Sequence, residues 1–471
     1  MTLTILCFGL FPNTHAVVPP PDGCYPGFTT AEGCNALKSV TTGIGNTGIG
    51  WYSLFGNTTG NFNTAVGAGA LDLNTADNNT ATGAAALLLN TTGTNNTANG
   101  VDALALNNTG EENTATGAFA LFSNTDGDFN TAEGAYALYF NTNGERNTAT
   151  GDSALYSNTL GARNTATGNA ALLSNTTGSD NTAIGSGTLF LNNADGNTAI
   201  GVDTLSANTT GAQNTAVGNE VLMSNTTGNL NTAIGHHALM NNTTDGGNTA
   251  LGSDALRDNA GGGGGNTAVG DQALFGNTSG TLNIALGFAA GSNVVTASNT
   301  ICIGADGQNA SNSCYIGQIF GATSAAGVQV FINSSNRLGT MTSSKRFKEK
   351  IKPMDDASEA LYALKPITFC YKKEIDPTGI SQFGLVAEDV EKVHPDLVVR
   401  DKEGKPYSVR YDQVNAMLLN EFLKAHRQIQ TQQKQIDALT AQLKEQGAAI
   451  QKVTAQLEVR NSTAEVTVNN P

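Results

Sequence analysis

The sequence predicts a mostly β chain. A parallel β-solenoid, or β-roll, of about 16 coils leads into a small α+β domain and a C-terminal coiled-coil helix. Three observations predict it. The pattern Asn-Thr-Ala-x-Gly, imperfect in its first and last two copies, recurs 16 times between Gly50 and Gly304, at spacings of 16 to 18 residues. Lys and Arg concentrate after residue 342, where 19 of the 24 fall. Apolar residues then repeat every seven positions from Phe422 to Leu457.

The first elements precede the repeat. Residues 1–16 read as a signal peptide, with an apolar run from Leu3 to Phe11 and a small residue, Ala16, at its end. No Lys or Arg precedes Lys38, so a plain apolar N-terminus or a misassigned start codon stays open. Residues 17–40 read as a cap or linker, with Pro19–Pro21 as an extended spacer. Cys24/Cys34 and Cys302/Cys314 are local pairs able to form disulfides in an oxidising compartment. Cys370, among apolar neighbours, is expected to be buried.

Residues 41–304 carry the repeat. Leu stands four residues after each of the first fourteen glycines, from Leu54 to Leu274. Asn stands seven after, from Asn57 to Asn277. A 17-residue unit cannot bury a core alone, but stacked units can. Ala65 then lies over Ala81 and Leu71 over Leu87, with turns at the glycine and at Asn-Thr-Thr-Gly. At about 4.8 Å per coil the stack is roughly 77 Å long. The residue after Ala faces outward, apolar at both ends but Thr, Asn or Glu in the middle (Thr82, Asn99, Thr116, Glu133). Triplets such as Asn57-Thr58-Thr59 match a glycosylation sequon but recur for turn geometry. Gly261–Gly265 mark a loop beside the one 18-residue spacing.

At these copies, over about residues 46–304, the chain resembles the head repeats of trimeric autotransporter adhesins, which form parallel β-rolls from three chains. The period here is longer, and no outer-membrane β-barrel anchor is read after the repeats.

Residues 305–342 read as a β-linker, with a strand at Val328–Ile332 and a turn at Asn333–Asn336. Residues 343–421 alternate short helical and strand segments. They resemble the intramolecular chaperone domain of phage endosialidases, a self-cleaving domain of tail spikes and tail fibres. The carriers are Ser343–Ile351, Leu364–Phe369, Gly384–Val390, Pro395–Val399 and Tyr411–Val414. The resemblance implies a serine peptidase that acts once, with Ser343 as nucleophile, Lys348 as base and Thr342–Ser343 as the cleaved bond. Ser344, and the pair Glu388-Asp389, depart from the family's usual residues.

The residues allow this chemistry. A Ser hydroxyl needs a base, and like charges on Lys345, Arg346, Lys350 and Lys352 would ease deprotonation of Lys348. Taken alone, the same residues also read as a helix N-cap followed by a solvated basic face. His394 could orient a catalytic group, and His236-His237 reads as one repeat copy with two imidazoles. No cofactor or metal is expected.

Residues 422–460 form the coiled coil. Phe422, Ile429, Ile436, Leu443, Ile450 and Leu457 fill one core position, and Gln432 and Gln446 fall in the second. Five heptads make about 54 Å of helix, and Ile with Gln layers suits three strands better than a tight dimer. Residues 461–471 read as a disordered tail.

The expected protein is an exported homotrimeric fibre, secreted, on a cell surface, or virion-associated. An adhesin that keeps its C-terminal domain as a trimer clamp is the alternative. An ice- or surface-binding solenoid is the third reading, since Thr148/Thr150 and Thr165/Thr167 give Thr-x-Thr. The net charge of −15 disfavours nucleic acid, and no transmembrane segment is read. A cell-surface glycan or receptor is an open partner, with no aromatic cluster or charged pocket legible to mark its site.

Overall fold

The computed structural model describes residues 27–466 apart from 323, 325, 326 and 334. The expected signal peptide, Cys7, Cys24 and with it the Cys24/Cys34 pair lie outside the described residues. The chain divides into two units, Met1–Thr323 and Ser324–Pro471.

The first unit is a solenoid. Eighteen three-residue strands, from β1 (Thr30–Glu32) to β18 (Cys314–Ile316), form one parallel sheet in which each strand pairs with the next coil's. Register follows the repeat: Ala98 faces Ala115 and Ala115 faces Ala132. The middle residue points inward and its two neighbours outward, so the alanines from Ala65 onward are fully buried. The leucines stack beside them, also fully buried from Leu54 to Leu256.

Two columns of buried asparagine close the corners. Asn107 Nδ2 donates to Asn90 Oδ1 at 2.7 Å and to Gly110 O at 3.0 Å. Asn113 Nδ2 donates to Gly127 O at 2.8 Å. Asn96 Nδ2 also donates to Gly110 O at 2.8 Å, so the two columns converge on each buried turn carbonyl and together satisfy it. This is why Asn recurs at both positions, and why the sequons are structural.

The leucines carry a local cost that the repeat does not announce. Leu121 has φ 52° and Leu172 φ 54°, in the left-handed region that side chains avoid. That conformation costs about 1–2 kcal/mol per residue. Burying the side chain contributes about 2 kcal/mol, and Leu121 N donates to Ala137 O at 2.9 Å. The column glycine has no such option. Gly117 has φ +134°, and a Cβ there would lie 2.5 Å from Gly134 O.

The sheet has two more strands than the motif has copies. β1 lies within the expected cap, and β18 within the expected linker. The five-glycine loop has a specific role: Gly262 N and Gly263 N each donate to the Asp245 carboxylate at 2.7 Å, which accommodates the longer coil.

Both cysteines of the second pair are free. Cys302 takes the inward position of its strand and Cys314 an outward one, so they face opposite sides of the sheet. Cys370 is free and exposed rather than buried, because it lies just past the short strand that ends at Phe369.

The second unit contains three antiparallel hairpins. These are β19–β20 (Val330–Ile332, Leu338–Thr340), β21–β22 (Ile367–Phe369, Gln382–Gly384) and β23–β24 (Val398–Arg400, Pro406–Val409). Helix α1 spans Ala387–Val393 and α2 Tyr411–Val466. Val390, Leu397, Val398, Val409, Val414 and Met417 make a small core where α1, the third hairpin and the start of α2 meet. α2 runs past Arg460, where the polar tail was expected to begin; no Gly or Pro interrupts residues 448–466.

Among the described residues no helix is long and apolar enough to cross a membrane.

Candidate functional site

Ser343 lies on extended chain after β20, directly before a 3-10 turn, Lys345–Phe347. Ser344 is the N-cap of that turn, with φ −63° and ψ 136°, and its side chain makes no capping bond. Lys348 closes the turn, its N–H donating to Lys345 O at 3.1 Å. Thr342 Oγ1 accepts from Ser344 N at 3.4 Å. Ser343 and Lys348 therefore stand at opposite ends of one short turn.

The segment is unpacked. Residues 335–353 are all exposed. Among the described residues neither the Ser343 nor the Lys348 side chain makes a hydrogen bond or ion pair, and Lys345, Lys350 and Lys352 have no acidic partner. Arg346 stacks over the Phe347 ring at 4.6 Å. The bland N-cap reading gains no capping bond, and the single chain joins Ser343 and Lys348 by no contact.

A second polar cluster joins residues far apart in the sequence. Glu421, one residue before the first heptad position Phe422, accepts from Ser358 Oγ at 2.5 Å and from Tyr362 OH at 2.6 Å. Lys424 Nζ lies 2.8 Å from the same carboxylate. Asn420 Nδ2 reaches Ser358 Oγ at 2.7 Å and Asp355 O at 2.9 Å. Lys424, then Ser358 and Tyr362, hold the Glu421 carboxyl down to about 2, and Glu421 in turn raises Tyr362 and Lys424. Ser358 is fully buried, so its hydroxyl is a structural donor rather than a nucleophile. The cluster ties the 3-10 segment Asp355–Ala363 to α2. The i, i+3 spacing of Glu421 and Lys424 was its one legible signal.

The remaining candidates stay apart. His394 ends α1, its N–H donating to Val390 O at 2.8 Å, and no hydrogen bond joins it to Ser343 or Lys348. His237 sits between carboxylates of the adjacent coils, Nε2 3.2 Å from Glu220 and Nδ1 3.4 Å from Asp254. No group of three or more His, Cys, Asp or Glu among the described residues could hold a metal ion.

An aromatic cluster does exist, contrary to the sequence expectation. Phe119 stacks on Tyr136 at 5.3 Å, Phe122 on Tyr139 at 5.1 Å, and Tyr139 on Tyr156 at 5.2 Å. These rings lie nearly parallel between adjacent coils, and Tyr136 remains exposed.

Neither a curated protein nor a solved structure matches the chain. Residues 343–399, beginning at Ser343 itself, match the family described as chaperone of endosialidase.

Proposed function

We propose that the chain is a fibre-like structural protein, secreted, displayed on a surface or carried on a virion. Its C-terminal domain drives homotrimer folding and then severs itself at Thr342–Ser343. The observation that carries this reading is the family match starting at Ser343, so that the expected scissile bond falls at the edge of the matched domain. The exposed helix supports the trimer. In the single chain the heptad residues from Phe422 to Leu457 keep 53–68 % of their surface in solvent. Such a stripe is stable in water when it meets the same stripe on partner helices.

In the trimer, Lys348 takes the Ser343 hydroxyl proton and Oγ attacks the Thr342 carbonyl carbon. The Thr342–Ser343 C–N bond breaks as the nitrogen takes a proton. The product is an ester between Thr342 and Ser343 Oγ, with a free Ser343 amine. Water hydrolyses that ester, leaving a Thr342 carboxylate and a fragment that starts with Ser343. Release of the domain removes the element that aided assembly, so the trimer cannot refold by the same route.

Retention of the domain as a clamp is the second reading, favoured by the lack of contact between Ser343 and Lys348 in the single chain. Intact mass of the expressed protein separates the two. A glycan or other receptor of the solenoid would complete the surface role.

A further inference from the structure

The rings of the aromatic cluster lie on the stretch of coil that follows each repeat glycine. Phe119 and Tyr136 stand two residues after their glycines, and Phe122, Tyr139 and Tyr156 five after. They make two columns of nearly parallel rings, inclined to each other by 59° at Phe119/Phe122 and 52° at Tyr136/Tyr139. Phe140 stands edge-on to Tyr139 and Tyr156, at 89° and 84°. Tyr136 and Phe140 keep 40 % and 43 % of their surface exposed, and the other four rings are half-buried. Among the described residues the hydroxyls of Tyr136, Tyr139 and Tyr156 have no protein hydrogen-bond partner, whereas those of Tyr362 and Tyr411 do.

The fold does not ask for these rings. The position two after the glycine is left-handed in coil after coil, with φ 53° at Asp102, 57° at Tyr136 and 56° at Ser153. Gly, Asp and Asn suit that conformation, and bulky side chains avoid it. Gly69, Gly187, Asp203 and Asp254 stand there in other coils, whereas Phe119 and Tyr136 gain nothing locally. A costly conformation held by side chains that the coil does not need points to function. Phe140 likewise has Ser at its position in the coils on either side, Ser123 and Ser157. We infer that these rings are a binding platform for a neutral, extended polysaccharide laid along the rod, one sugar to a coil. The inference gives the open receptor of the surface reading above a place and a chemistry, and it rests on that reading.

Size, polar groups and charge select that ligand. The cluster covers three coils, about 10 Å of rod at about 4.8 Å per coil. A stable protein interface takes about 800 Å² from each partner, which a patch of this length does not offer. Sugar rings fit it, because their C–H faces stack on aromatic rings while their hydroxyls need polar partners. A pyranose in an extended, equatorially linked chain advances by about one coil, so successive sugars meet successive rungs. The three unpartnered tyrosine hydroxyls supply polar partners among the rings. At the rim, Asp152 accepts from Ser153 Oγ at 3.1 Å and from Asn169 Nδ2 at 3.3 Å, an exposed group able to bond sugar hydroxyls. Charge selects a neutral glycan over an acidic one. Between Lys38 and Arg257 the chain has two cations, Arg146 and Arg163, and both are paired, with Glu145 and Asp180.

The test runs the full chain through native gels cast with hydroxyethylcellulose, a neutral β-linked polymer, or with polygalacturonate, an acidic one, beside native mass measurement. Relative to a plain gel, the wild-type chain is expected to be slowed several-fold by hydroxyethylcellulose and not by polygalacturonate. Tyr136→Ser combined with Phe140→Ser should abolish the slowing. Neighbouring coils carry Ser at both positions, so the fold accepts the change. Leu230→Ala, which trims an exposed apolar side chain elsewhere on the solenoid, should be slowed like the wild type. A wild-type chain not slowed by hydroxyethylcellulose, equal slowing by polygalacturonate, or unchanged slowing in the double variant overturns the platform. So does a lower native mass in the double variant, which would make the rings a contact between copies. None of these results touches the self-cleavage reading, which intact mass decides separately.

Discussion

Asn113 donates to Oδ1 of Asn96, one coil earlier, through both its backbone N–H at 2.9 Å and its side-chain Nδ2 at 3.2 Å. The same residue's Nδ2 reaches forward to Gly127 O. One side chain therefore links three coils, and each coil depends on its neighbours more than on itself. Asn113→Ala keeps the backbone N–H on Asn96 Oδ1, and Asn124 Nδ2 still serves Gly127 O at 2.9 Å, but it removes Oδ1, which accepts the buried Asn130 N–H at 2.9 Å, so that amide is left unpaired at a cost of about 1–3 kcal/mol. Hydrogen exchange should show faster opening confined to the coils around residue 113. Unchanged protection there would mean that the asparagine columns do not hold the corners.

Gly117→Ala tests the glycine column. The methyl would meet Gly134 O at 2.5 Å, with φ already at +134°, so the coil must shift. Backbone strain of this kind costs about 1–3 kcal/mol before any clash is counted. Thermal unfolding of the solenoid is expected at a lower temperature. Gly339→Ala, where no atom lies within 4 Å, serves as the neutral control.

Leu172→Asp places a charge in the closed Leu stack. An unpaired polar group buried there costs several kcal/mol, on the order of 2–7. Local β structure and protease resistance should be lost around residue 172. Retention of both would contradict the buried stack.

Glu421 gives the second unit an acid dependence. Its carboxyl is held down to about 2 in the folded chain, against an ordinary value of 4.5. A lowered folded value means the stabilisation is present above about 4.5 and is lost as pH falls towards about 2. Docking of Asp355–Ala363 on α2 should weaken over that window. In Glu421→Gln the window should flatten, with docking weaker at neutral pH because Lys424 loses its nearest carboxylate and keeps only Asp356 and Glu359, each at 3.7 Å. An identical acid profile in both proteins would remove Glu421 from this role.

Much of the solenoid was legible, because a 17-residue period places identical residues in columns whatever the details of the turn. Ala, Leu and Asn fell on the inside for that reason. The first coil was readable too: Thr30-Ala31-Glu32-Gly33 has Leu37 four residues after its glycine, though Thr29 and Val40 stand where the two asparagines would be. β18 keeps little beyond Ile316-Gly317. The left-handed leucines had no signal, since local preference argues against them and only closure of the coil enforces them. The aromatic cluster was hidden by linear reading. Phe119 and Tyr136 are 17 residues apart, and only alignment in repeat phase makes them neighbours. Of the Glu421 cluster the sequence displays Lys424 but not Ser358, which is 63 residues away.

Self-cleavage is the central claim, and N-terminal sequencing with intact mass of the purified trimer tests it most directly. The expected result is a chain ending at Thr342 and a 129-residue fragment, 343–471, beginning with Ser343. Ser343→Ala, Lys348→Ala and Lys348→Arg should each leave the full-length chain while still forming trimers, the last because a guanidinium cannot give up its proton to act as a base. A wild-type trimer whose chains are all full length, with no N-terminus at Ser343, would contradict the claim and leave the domain as a permanent clamp.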